Sequence, residues 1–326
     1  MKYLFLLCAF ITITSAHARS KPQQPPIDDP TFYGTTAVSV QVAFAVGEHG
    51  TIARTTNGGK DWTLLRNTDG VSTTLNSICF ADKQNGWAVG MKGVMLRTSD
   101  GGKSWKRTKS TTGSDLISVL FINRALGWAM GMKGILLKTT NGGTTWLPQA
   151  SGVKNHLWSG WFTNPLTGWI VGSSGLIMKT TDGGTSWNQE KPGITHFFYD
   201  VEFVNNSVGW VAGSYGAILR TTDGGITWLK QNTREDLSIF QSSTFFYGMY
   251  FLDAQTGVLV GDGGTIMRTT DGGNHVDNRP SPTSEVLYAI HLVDPNIGWA
   301  VGGEGTIIKT TDGGLTWQSQ SIHQTL

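Results

Sequence analysis

The stretch Lys179-Thr180-Thr181-Asp182-Gly183-Gly184-Thr185-Ser186-Trp187 decides the fold, because it occurs with small changes seven times between Arg54 and Trp317. Its acidic or amide position falls at Asn57, Asp100, Asn141, Asp182, Asp223, Asp271 and Asp312. Successive copies stand 43, 41, 41, 41, 48 and 41 residues apart, a period that belongs to propellers and repeat arrays. The carboxylate or amide accepts hydrogen bonds from backbone N–H groups further along, and the glycines supply the positive φ of a hairpin connection. The closing Trp covers the turn with an apolar face.

Residues 115–151 show the whole unit. Leu116 to Phe121 is apolar and β-prone and predicts a first strand. Gly127-Trp128-Ala129-Met130-Gly131 predicts a second, Ile135 to Thr139 a third, and Thr145-Trp146 opens a fourth, more polar one. Strands of about five or six residues with short turns account for the period. No segment carries a helical pattern. The expectation is an all-β, seven-bladed β-propeller with four antiparallel strands per blade and the repeated turns between third and fourth strands.

Around this repeat the chain divides into three parts. Residues 1–18 read as a signal peptide, with Lys2, an apolar run from Leu4 to Ile13 and cleavage after Ala18. Residues 19–30, rich in proline and charge, read as a disordered leader, and 31–326 as the propeller. The mature chain should be exported, to the periplasm, the medium or, in a photosynthetic host, the thylakoid lumen. It has no run long enough to span a membrane and is expected to be a monomer. Formal charge is +2, which gives no nucleic-acid footprint. Without Cys8, Cys79 remains alone and reads as a small buried filler rather than a reactive thiol. No His cluster has ligand spacing and no glycine turn opens a helix, so neither a metal nor a cofactor is expected.

The repeated turn is identified as an Asp-box, or bacterial neuraminidase repeat. The unit with Gly-Trp-Ala-Val-Gly ahead of Gly-x-Ile-Leu-Arg-Thr-Thr-Asp-Gly-Gly resembles the photosystem II stability and assembly factor family over about residues 31 to 323. That resemblance implies a non-catalytic propeller that helps assemble a membrane complex, with a protein partner that is a membrane-complex subunit. Asn57 and Asn141 keep the acceptor but lose the charge, which argues against metal binding or catalysis at the turns. The sixth copy, Asp271-Gly272-Gly273-Asn274-His275-Val276, lacks the Trp and follows extra residues around Asn232 to Thr244.

Candidate binding residues lie on the rim opposite the Asp-boxes. The second-to-third-strand turns carry Glu48-His49, Met91-Lys92, Met132-Lys133, Ser173-Ser174, Ser214-Tyr215, Asp262-Gly263 and Gly303-Glu304. Of these, Lys92, Lys133, Tyr215, Asp262 and Glu304 are candidate contacts, set against an ordinary solvated rim. An aromatic column of Trp158, Tyr199, Tyr247 and Tyr288 heads the first strands, where other blades have Asn76 and Ile117. It reads as a platform for a peptide, pigment or sugar, or as packing between blades. A basic residue precedes every Asp-box (Arg54, Arg97, Lys138, Lys179, Arg220, Arg268, Lys309). Stem packing explains that column better than an acidic partner does.

The enzymatic alternative is a glycosidase, sialidase-like or otherwise, since Asp-boxes also occur in such hydrolases. The chain has no Arg-Ile-Pro. Asp200 and Glu202 are unusual for their columns; they are candidate contacts that read first as rim-exposed charges, and with Asp115, Asp262 and Glu285 they also offer a carboxylate pair. A glycan- or peptide-binding lectin using the aromatic rim is the other alternative.

Overall fold

A computed structural model describes residues 29–65, 68–231 and 244–322. The signal peptide expected at 1–18, all of the leader except Asp29 and Pro30, and the extra residues at 232–243 lie outside the described residues. The chain forms seven four-stranded antiparallel sheets, each built from four consecutive strands. Blade three is representative: Leu116–Phe121, Gly127–Gly131, Leu136–Thr139 and Leu147–Pro148, paired in that order. Each inner strand touches the inner strands of both neighbouring blades, and Phe32–Ala37 meets Leu287–Leu292, so the ring closes.

The strands shorten outward, from six residues on the inside to two or three at the edge. The expected fourth strand of five or six residues is therefore shorter than its sequence suggested. Its residues are largely exposed and often polar or charged, as in Lys106–Arg107, and a short charged edge resists pairing with other chains.

Aromatic stacking joins the blades. Trp128 of blade three lies flat on Phe162 of blade four, 3.7 Å between centroids. Phe162 then meets Trp187 of its own Asp-box edge-on at 6.0 Å. The same three-ring cluster recurs as Trp87–Phe121–Trp146 and Trp169–Phe203–Trp228. Offset stacks and T-shaped contacts are the favoured aromatic geometries. Gly168 leads into Trp169, and a Cβ there would sit 2.5 Å from the Phe162 ring. That clearance is what the repeated Gly-Trp pair provides. Blade six departs from the pattern: Val258, Leu292 and Trp317 share an aliphatic core with one indole.

Each repeated turn is a hydrogen-bonded knot. In blade four Thr180 Oγ1 donates to Asp182 Oδ1 at 2.8 Å and accepts from Gly184 N at 2.8 Å. Ser186 donates its backbone N–H to Oδ1 and its hydroxyl to Oδ2. The Ser186 hydroxyl, its N–H and the Thr180 hydroxyl hold the Asp182 carboxyl down to about 2. At Asn57 and Asn141 the amide nitrogen replaces the second oxygen and donates, to Asp61 and Thr145 respectively. In blade six His275 Nδ1 bonds Asp271 Oδ2, filling the role of the hydroxyl.

The basic column belongs to these joints too. Lys138 Nζ donates to Gly183 O of the next blade at 2.7 Å, and Lys309 Nζ does the same to Gly58 O across the closure. Five of the seven basic residues also lie over the ring at the second-strand aromatic position. Stem packing is as expected, but the heads of Lys138, Arg220, Arg268 and Lys309 bond carbonyls of the next blade instead of reaching water.

Candidate functional site

The inner strands line the ring, and each presents an edge whose backbone N–H groups have no fifth strand to pair with. Side chains of the preceding blade satisfy several of them. Ser77 Oγ accepts from Val119 N, Asp200 Oδ2 from Met249 N at 3.0 Å, Glu202 Oε2 from Phe251 N at 2.8 Å, and His291 Nδ1 from Ala37 N. Cys79 sits in the same column as Glu202 and His291 and accepts from Phe121 N; burial pushes its thiol well up. Because His291 Nδ1 accepts, its ring proton sits on Nε2, and burial brings its pKa down to about 4.

Asp200 and Glu202 therefore lie at the seam between blades five and six, not on the rim where their charge suggested. Asp200 also accepts from Ser159 Oγ of blade four at 2.8 Å. Burial, against these two bonds and a third from Val201 N, raises the Asp200 carboxyl to about 6. Glu202 is 4% exposed, and burial plus the nearby Asp200 push its carboxyl well above the usual range. The sequence column identified both as unusual; their role as caps of a neighbour's backbone needed the three-dimensional arrangement.

The aromatic column becomes a continuous arc. Trp158, Tyr199, Tyr247 and Tyr288 follow one another at 5.8, 5.0 and 5.3 Å between centroids. Tyr33 of blade one extends it, 5.0 Å from Tyr288. Sequence reading omitted Tyr33, although it holds the second position of its strand just as Tyr288 does. Five of seven blades thus contribute a ring. Phe245 and Tyr215 continue the surface outward, with Tyr215 5.6 Å from Phe245 and 5.2 Å from His196.

The seven rim turns share one geometry. Their second residue is left-handed, with φ between 47° and 59°: His49, Lys92, Lys133, Ser174, Tyr215, Gly263 and Glu304. A glycine at positive φ follows each. In the first of them Thr51 N bonds Glu48 O, which closes a type I′ turn. Lys92 and Lys133 project from blades two and three, where their backbone N–H groups donate to Asp115 Oδ1 and His156 Nδ1. Glu304 is exposed on blade seven. Lys133 reaches the aromatic arc only through its backbone and His156, whose ring meets Trp158 edge-on at 5.9 Å, whereas the Asp262 side chain is joined to it directly: Tyr247 donates a hydrogen bond to it. Burial raises the Asp262 carboxyl, and burial also pushes Tyr199 up to about 12.

Among the described residues no cluster of His, Cys, Asp or Glu could hold a metal ion, and no helix is long and apolar enough to cross a membrane.

Fold and turns together define a seven-bladed β-propeller with one hydrogen-bonded Thr-x-Asp/Asn-Gly-Gly turn per blade. The family model for the photosynthesis system II assembly factor YCF48 matches residues 22–112, 67–157 and 187–246, and the chain belongs to that family. Among solved structures, YCF48 bound to a D1 peptide is similar at a TM-score of 0.73 and 18% identity, covering 87% of this chain and 93% of that one. YCF48 from Cyanidioschyzon merolae gives 0.72 and 18%, covering 88% and 97%. The GH74 enzyme of Niastella koreensis gives 0.70 and 16%, covering 89% of this chain and 54% of the enzyme. At such identities these likenesses are of fold. No curated protein sequence is significantly similar.

Proposed function

We propose that the chain is an exported, non-catalytic scaffold that holds a protein partner, a subunit of a membrane complex, against the rim of the second-to-third-strand turns. The arc of five rings at that rim, with Tyr215 beside it, carries the reading. Tyr215 is 45% exposed at φ 56°. Left-handed backbone costs a residue with a Cβ roughly 1–2 kcal/mol, and asparagine, aspartate or glycine would serve the turn better. A strained, exposed aromatic points to use of its side chain. Membership of the YCF48 family supports the reading, as does a similar structure of YCF48 with a D1 peptide. Export rests on residues 1–18, and amino-terminal sequencing of the mature protein should begin at Arg19.

A full chain with a photo-crosslinking amino acid in place of Tyr215, irradiated in its own host, is expected to trap one defined membrane protein. The same substitution at Leu147, 63% exposed on an outer edge strand, should not. Absence of an adduct at Tyr215, or identical adducts at both positions, refutes the scaffold.

The raised carboxyls of Glu202 and Asp200 favour a hydrolase, since a general acid needs such a shift. Both Glu202 and Asp200 are engaged by backbone N–H groups at a blade seam, so their burial serves packing. Xyloglucan, aryl-glycosides and sialyl substrates should all be left intact; turnover abolished by Glu202→Gln would reverse the assignment.

A further inference from the structure

We propose that Tyr199, Tyr247, Tyr288 and Asp262 form a cradle for one cationic side chain, arginine or lysine, of a basic segment of the partner. This rests on the rim being the protein-binding face and names what that face recognises.

The three tyrosines are consecutive in the arc, at 5.0 and 5.3 Å, and each ring is only partly buried. Ring faces are electronegative and attract cations. Asp262 stands on the rim turn of blade six, half-buried and bonded to the Tyr247 hydroxyl. Two further carboxylates, Glu48 and Glu285, act on Tyr288. The three ion pairs among the described residues are Arg124–Asp82, His275–Asp271 and Arg279–Asp277. None involves Asp262, Glu48 or Glu285, so among the described residues no lysine, arginine or histidine side chain forms an ion pair with these carboxylates. The rim lysines Lys92 and Lys133 stand instead on blades two and three.

This charge separation selects the occupant. An acidic segment would be repelled by Asp262 and its neighbours. A neutral ring stacked on the tyrosines would bury a carboxylate without a counter-charge, which is costly. A guanidinium or ammonium satisfies both, with its face on the rings and its N–H groups on the carboxylate. The chain as a whole carries +2, so a basic ligand gains nothing from the overall field and its binding would report a local site.

The test is fluorescence anisotropy with the full chain and a fluorescein-labelled tetra-arginine peptide. Saturable, salt-weakened binding is expected, with no binding of the tetra-glutamate analogue. Asp262→Asn keeps size and an acceptor for Tyr247, and should weaken tetra-arginine binding at least tenfold at unchanged thermal stability. Tyr247→Ala should do the same, and Lys133→Ala should leave binding intact. No saturable tetra-arginine binding, or undiminished binding by Asp262→Asn, overturns the cradle. The two readings fail separately. An adduct at Tyr215 without tetra-arginine binding leaves the scaffold and removes the cation site, while tetra-arginine binding without an adduct does the reverse.

Discussion

At the scale of single residues the carboxyls of the turns and those of the blade seam have opposite pH behaviour. Asp182 is held down to about 2 by the Ser186 hydroxyl and its companions, and the Thr227 hydroxyl does the same for Asp223. An unfolded carboxyl titrates near 3.9, so these turns support the fold above about pH 4 and lose that support as pH falls towards 2. Asp200, raised to about 6 by burial, acts the other way. The folded state binds its proton more tightly than the unfolded state, so stability falls as pH rises from about 4 through 6. Glu202→Gln removes the more deeply buried charge and keeps an acceptor for Phe251 N. Its melting temperature should exceed that of wild type at pH 8, with the gap closing below pH 4. In the turns, Thr180→Val leaves the buried Gly184 N–H without its acceptor. A loss of about 1–3 kcal/mol should follow in denaturant unfolding.

At the scale of strands and turns the blade-to-blade joint is the unit of cohesion. Phe162 is buried between Trp128 and Trp187, and Phe162→Ala should cost about 3–5 kcal/mol. Phe162→Leu should cost only about 1 kcal/mol, because Leu292 already holds the equivalent place in blade seven. Guanidinium melts of both variants check the pair. Much of this level is legible in the sequence: the Gly-Trp strand, the Thr-Asp-Gly-Gly knot and the basic column each recur with the blade period. The stacking of Trp128 on a phenylalanine of the following blade is not, since both residues read as core and only their placement pairs them. Likewise Asp200 and Glu202 looked like surface charge because the inner edge of a blade, which needs acceptors for its N–H groups, leaves no mark in the pattern of its own strand.

At the scale of the whole molecule, binding at the proposed rim can be tested apart from stability. Tyr215→Gly relieves the left-handed tyrosine, so it should melt no lower than wild type and up to about 1 kcal/mol higher, yet lose capture of the partner. Differential scanning fluorimetry together with pull-down from solubilised membranes tests the combination. The aromatic arc was visible in four of its five rings because column counting works wherever blades align. The proposed cationic ligand was not, since the carboxylates of Asp262, Glu285 and Glu48 come together around Tyr288 only in three dimensions.

The first and seventh blades are each made of consecutive strands and borrow none from one another. They are clasped by Lys309 on Gly58, His291 on Ala37 and the bridge between Trp62 and Ile322. Nature's cut between these two neighbours is thus topologically no different from a cut between any other two. Joining the old ends through a linker and starting the chain at Thr112, ahead of blade three, should yield a circular permutant with the same hydrodynamic radius and circular dichroism. The order in which the wheel is written is then a matter of bookkeeping for the ribosome rather than of geometry.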